Sequence, residues 1–128
     1  MLRSGTPAQD SAALEPPLNA LEREADAQGV WRRWCNQALA DDYAGLWQRC
    51  DRLWFLQPPD FAVVPRWRWQ QEQNLQAAQP GRSGMTRAQL ERFVQFYERV
   101  SRQALRTLPG RADRIIALDG ERRIIPRS

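Results

Sequence analysis

The chain has 128 residues, a length that suits one domain with a modest core. Its formal charge is +4, and all 19 basic residues are Arg, scattered among 15 acidic ones, with no Lys and no His. That composition excludes a Gly-x-x-x-x-Gly-Lys-Ser/Thr phosphate loop within the chain, a Ser-His-Asp triad and a His-ligated metal, and the mixed charge leaves no basic tail to argue for nucleic acid.

In chain order, residues 1 to about 15 are rich in Ser, Ala, Pro and Gly and read as an irregular, mobile segment closing at Pro16-Pro17. The domain is expected to occupy residues 16–128. A short helix is predicted from Leu18 to about Ala27, stopped by Gly29. A second starts near Val30, with Val30, Trp31, Trp34, Cys35, Ala38 and Leu39 on one stripe. Asp41-Asp42 breaks it, and Tyr43, Leu46 and Trp47 mark a third segment. Trp31 and Trp34, with Phe93 and Tyr97 further on, are read as core residues. Cys35 and Cys50 form no Cys-x-x-Cys and read as two free thiols.

Leu53-Trp54-Phe55-Leu56 is an apolar run bounded by Asp51 and Pro58-Pro59, the pattern of a buried strand. Asp60 then caps a helix whose regular part is expected to start near Pro65. From Gln70 to Gln76 every residue except Leu75 is Gln, Glu or Asn, so this helix is expected to bury little and to cover something polar that comes and goes. At its head Arg66, Trp67, Arg68 and Trp69 alternate. Neighbours two apart on a helix face opposite sides, so one Trp should turn inward while one Arg stays free for a ligand. Arg68 and Glu72 have the i,i+4 spacing of a surface ion pair.

Pro80 to Gly84 is a connector, and Thr86 with Gln89 is a capping box opening a long helix that runs to Leu108. Ile115–Leu118 is a second apolar strand, Asp119-Gly120 a hairpin turn, and Arg122 to Ile125 the returning arm. Two apolar strands joined through helices predict a parallel crossover pair. The expected class is therefore α/β, mostly helical, with two parallel strands and a C-terminal hairpin. No apolar run approaches membrane length and no signal peptide is seen, so a cytoplasmic location is expected.

Trp67-Arg68-x-x-Gln71-Glu72, then Gly84-Met85-Thr86 opening a helix with Phe93, Tyr97, Glu98 and Arg99, resembles the C-terminal part of D-glycerate 3-kinase-like P-loop kinases, relatives of uridine kinase and phosphoribulokinase. Pro17 to Glu22, Trp31 to Asn36, Leu56 to Phe61, Ala112-Asp113 and Leu118-Asp119 agree with it, so that it spans roughly residues 7–125. The resemblance implies a partial P-loop kinase fold whose phosphate loop and Mg²⁺-serving acidic strand would lie upstream of Met1. It implies ATP and Mg²⁺ as cofactors and a small sugar acid, D-glycerate, as acceptor, with no catalysis by this chain alone. Arg68 becomes the catalytic candidate, a lid arginine facing the transferring phosphoryl group. Arg66, Gln71, Glu72, Asn19 and Glu22 become candidates for substrate or phosphate binding, and Asp119 for a nucleotide contact. Two other readings stay open. One is a non-catalytic remnant or interaction protein. The other is a single-stranded nucleic-acid binder stacking bases on the Arg/Trp segment, although alternation splits that segment over two faces.

Overall fold

The computed structural model describes residues 8–126; the irregular segment expected over 1–7 lies outside them. In place of an irregular stretch up to residue 15, Ser11–Leu14 forms one helical turn (α1) that buries Leu14. Helix α2 spans Ala20–Ala25, with Asn19 as its N-cap in place of an earlier start at Leu18. Helix α3 follows at Val30–Ala40 and α4 at Ala44–Gln48. Strand β1 is Trp54–Gln57, α5 is Val63–Ala78, α6 is Arg87–Thr107, and a 3₁₀ turn at Leu108–Gly110 leads into β2, Arg114–Ala117.

The sheet is the expected parallel pair, with Trp54 opposite Arg114 and Gln57 opposite Ala117. Just outside it, the Leu53 amide donates to Asp113 Oδ2 at 2.6 Å and the Asp113 amide donates to the Leu53 carbonyl at 2.8 Å. On the other edge of β2 the chain turns at Asp119-Gly120 and returns. Leu118 and Ile124 form an antiparallel bridge, and the Ile125 amide donates to Ala117 O at 2.8 Å. Arg122 takes a left-handed φ of 62° in that turn. The fold class read from the sequence is thus the one observed.

Burial corrects two expectations. The β1 run is not buried on both faces: Phe55 is half-buried, but Trp54 and Leu56 are about 60% exposed, at 60% and 61%. Side chains alternate across a strand, and among the described residues no second layer covers the face carrying Trp54 and Leu56. Arg114, its register partner, stacks over the Trp54 ring instead, at 5.6 Å.

The α3 stripe is likewise not core. Trp31, Trp34 and Tyr97 are more than half exposed, and Phe93 is half-buried. They line an open apolar groove of about 470 Å³ between α3 and α6, with Trp31 stacked on Trp34 at 5.3 Å and Phe93 edge-on to Tyr97 at 5.4 Å. The residue that α3 does bury is Arg32. Its guanidinium forks onto the carbonyls of Leu14, Glu15 and Asp26 at 2.6, 2.9 and 2.7 Å, and this satisfies a charge that could not otherwise sit inside.

The core proper is formed by Leu14, Leu21, Phe61, Val63, Leu90 and Val94. Helix α6 carries two of these and makes its closest backbone contacts with α5, α2 and the 3₁₀ turn. The capping box is present as read, with Thr86 Oγ1 accepting from the Gln89 amide and Gln89 Oε1 accepting from the Thr86 amide. In α5, Pro65 falls in the first turn, where its missing N–H costs no hydrogen bond, and Asp60 Oδ1 accepts from the Val63 amide at 3.3 Å.

Candidate functional site

Helix α5 carries most of the candidate residues, and contacts at both ends hold it in place. At its head, Arg66 and Trp67 Nε1 both donate to the carbonyl of Gly120, the indole at 2.9 Å. Arg122 lies over the Trp67 ring at 5.7 Å and donates to Gln70 Oε1 at 3.0 Å. Trp67 and Trp69 are both half-buried, so the expected split into one inward and one outward tryptophan is not seen, and Arg66 is committed to the hairpin turn. The flat stacking platform that a single-strand binder would need is therefore broken up: Trp67 is covered and Arg66 is occupied.

Arg68 is half-buried, and its Nη1 donates to Gln71 Oε1 at 2.7 Å. Two candidates are thus brought together, Gln71 orienting the guanidinium from one turn along. The i,i+4 ion pair with Glu72 does not form. Glu72 is instead buried at 3% exposure, the one exception in a stretch that otherwise buries little, as expected. Its Oε1 accepts from Arg82 Nη1 at 3.0 Å and from the Met85 amide at 3.1 Å. The Met85 amide is the largest influence on this carboxyl and lowers its pKa; burial pushes the other way, and the charges of Arg82 and Arg68 reinforce the lowering. The result is an ionised carboxylate, one turn from Arg68, that straps the connector against α5.

Asn19 and Glu22 sit elsewhere, between α2 and α6. Asn19 Oδ1 caps α2 by accepting from the Glu22 amide at 3.0 Å, while its Nδ2 donates to Gln95 O and Glu98 Oε1, both at 3.1 Å. Glu22 forms a two-pronged pair with Arg99, through Nε to Oε2 at 2.9 Å and Nη2 to Oε1 at 2.7 Å, and Oε1 also accepts from the Leu18 amide. Burial raises the Glu22 pKa, but the Arg99 hydrogen bonds, the Leu18 amide and the charges of Arg99 and Arg32 outweigh it, so the net shift is downward. Both residues are tied into helix packing, and their described contacts do not reach Arg68. Asp119 is held in its turn, Oδ1 accepting from the Glu121 and Arg123 amides at 2.8 and 2.9 Å. The Arg123 amide leads the lowering of its pKa.

Arg82 and Arg99 pair with the candidate carboxylates Glu72 and Glu22, yet neither stood out as a site residue from sequence; the signal was non-local, since their partners lie 10 and 77 positions away. Among the described residues, no group of three or more His, Cys, Asp or Glu is placed to hold a metal ion. No described helix is long and apolar enough to cross a membrane.

No family model matches the chain, and comparison with curated proteins found no match. Among solved structures the chain is similar to D-glycerate 3-kinase from Cryptococcus neoformans var. grubii serotype A, with a TM-score of 0.57 and 24% identity. The match covers 88% of this chain and 45% of that one, so the chain spans less than half the length of the kinase it resembles. At that identity the likeness establishes the fold alone: a partial α/β fold of the glycerate-kinase kind.

Proposed function

We propose that residues 16–128 are the lid and last strands of an ATP-dependent sugar-acid kinase that works together with a phosphate-loop half lying outside this sequence. The observation that carries this reading is Arg68. Its guanidinium is partly exposed and held at one nitrogen by Gln71, on a helix fixed at both ends. Phosphoryl transfer gains most from positive charge already in position when charge spreads over the phosphoryl oxygens. An arginine tethered by a neutral amide keeps its full charge for that task. The fold likeness to a D-glycerate 3-kinase supports the reaction class and makes D-glycerate the first acceptor to test.

ATP and Mg²⁺ belong to the other half in this reading, since the chain carries no Lys for a phosphate loop and its described residues offer no metal cluster. Asp119 sits in the loop after the last strand, and a contact with the nucleotide from there is part of the proposal. The test is ATP consumption with D-glycerate, measured with this chain alone and then with the phosphate-loop half of a D-glycerate 3-kinase added as a separate polypeptide. We expect no turnover alone, turnover in the mixture, and a loss of about a thousandfold or more on Arg68→Ala. Turnover by the chain alone, or a mixture indifferent to Arg68→Ala, overturns the reading.

A further inference from the structure

Strand β1 has an open edge. It is bonded to β2 on one side only, whereas β2 meets the returning arm on its other side through the Leu118–Ile124 bridge. The carbonyls of Leu53 and Gln57 accept from the Asp113 and Leu118 amides at 2.8 and 2.9 Å, so they face β2. Backbone groups alternate sides along a strand, and the N–H and C=O of Trp54 and Leu56 therefore point to the open edge. Among the described residues they meet no partner there. The same two residues carry exposed apolar side chains. Edge strands are usually blunted by Lys, Pro, a bulge or an inward-pointing charge, and Trp54–Gln57 has none of these.

This edge is complementary to itself. Lay it antiparallel to a second copy, about a two-fold axis at Phe55. Trp54 then faces Leu56 of the second copy, and Leu56 faces the other Trp54. Both are hydrogen-bonded pairs, so each outward N–H and C=O of the two residues gains a partner. The axis crosses the sheet, which brings the four apolar side chains to one face in cross-strand contact. A register shift of two residues fails in either direction. One shift brings Pro58, which has no N–H, into the ladder, and the other sets the charged Arg52 against Leu56.

We infer that β1 is the interface of a two-fold dimer of this chain, with one continuous sheet in the order β2–β1–β1–β2. A two-stranded sheet is marginal by itself, and pairing doubles it. The contact consumes the open β1 edge of both copies, so assembly along it stops at two. A four-residue edge with two apolar side chains falls below the about 800 Å² per partner of a standard interface, which makes this a weak, concentration-dependent dimer. The inference is independent of the kinase reading.

The experiment is sedimentation of the chain across about a hundredfold range of concentration, with hydrogen exchange of single amides followed by NMR at both ends of the range. The mass should rise toward two chains. Protection of the Trp54 and Leu56 amides should rise with it, while that of the Phe55 amide, which already faces β2, should not. Leu56→Lys leaves the β1–β2 ladder in place and puts a charge into the apolar cluster, so the dissociation constant should rise about tenfold or more. Leu46→Lys, at an equally exposed position on α4, should leave it unchanged. A single-chain mass at every concentration, a dimer indifferent to Leu56→Lys, or Trp54 and Leu56 protection that ignores concentration would each overturn the inference. If Leu56→Lys fails to fold, the amide pattern of the unaltered chain decides it. A monomeric chain whose Trp54 and Leu56 amides become protected only when the phosphate-loop half of a D-glycerate 3-kinase is added would also overturn it, and would give the edge to that half.

Discussion

Glu22 and Arg99 show how single residues hold the helices together. The pair joins α2 to α6 through two hydrogen bonds, and Arg99 also donates to the carbonyls of Ala13 and Pro16 at 3.0 and 2.9 Å. Removing one partner leaves the other charged and poorly hydrated. Arg99→Ala is therefore expected to cost about 3 kcal/mol, the lower end for breaking a buried pair because both side chains keep some exposure. Chemical denaturation of the two chains checks it. The same pair sets a pH dependence. The folded pKa of Glu22 is lowered, so its contribution is complete above the usual carboxylate range and is lost as pH falls through the folded value. Between about pH 7 and about pH 3 the denaturation midpoint should fall. The fall should be smaller in Glu22→Gln, which cannot ionise. An equal fall in both chains would assign the acid sensitivity to other carboxylates.

Helices α5 and α6 divide what was legible in the sequence from what was not. The Thr86/Gln89 cap is local, three residues of backbone geometry, and it was readable. Thr86→Ala should lower stability by about 1 kcal/mol in the same assay. Periodicity also showed which residues share a face, but not what the face meets. In α6 the stripe reaches real core at Leu90 and Val94, whereas Phe93, Phe96 and Tyr97 border a groove. Leu90→Ala is accordingly expected to cost about 2–5 kcal/mol. Trp34→Ala on α3 should cost under about 1 kcal/mol, although Trp34 read as core in the sequence. Glu72 was misread for the same reason. Nothing within a turn of it explains its burial, which depends on Arg82, Gly84 and Met85 arriving from beyond the connector.

At the scale of the whole molecule, the parallel pairing of β1 with β2 was foreseeable because two apolar runs separated by helices leave few other arrangements. The candidate residues did not assemble as one site. They fall into an α5 group around Arg68 and Glu72, an α2–α6 group around Asn19 and Glu22, and Asp119 in its own turn, and no spacing rule could separate them. The exposed aromatic residues of α3 and α6 also form one continuous apolar surface, larger than scattered single side chains would give. The native chain should therefore enhance the fluorescence of an apolar dye such as ANS at neutral pH. Trp34→Ser with Phe96→Ser should remove most of that signal while leaving the helical circular dichroism unchanged. A native chain that leaves the dye dark would mean that this surface is covered in solution.

The guanidinium of Arg32 has a consequence for the order in which the molecule comes apart. Its three short contacts end on main-chain oxygens of Leu14, Glu15 and Asp26. Carbonyls have no proton to gain in acid, and the arginine has none to lose in mild base. Asp26 also adds a carboxylate to this knot, its Oδ2 lying 3.4 Å from Arg32 Nη1 and its oxygens accepting from the Trp31 and Arg32 amides at 2.9 and 3.0 Å. The carbonyl contacts between α1, the end of α2 and α3 are thus the part indifferent to pH, while the seam to α6 through Glu22 is not. Acid should open the molecule along that seam first, leaving residues 8–40 still gathered around one side chain after α6 has let go.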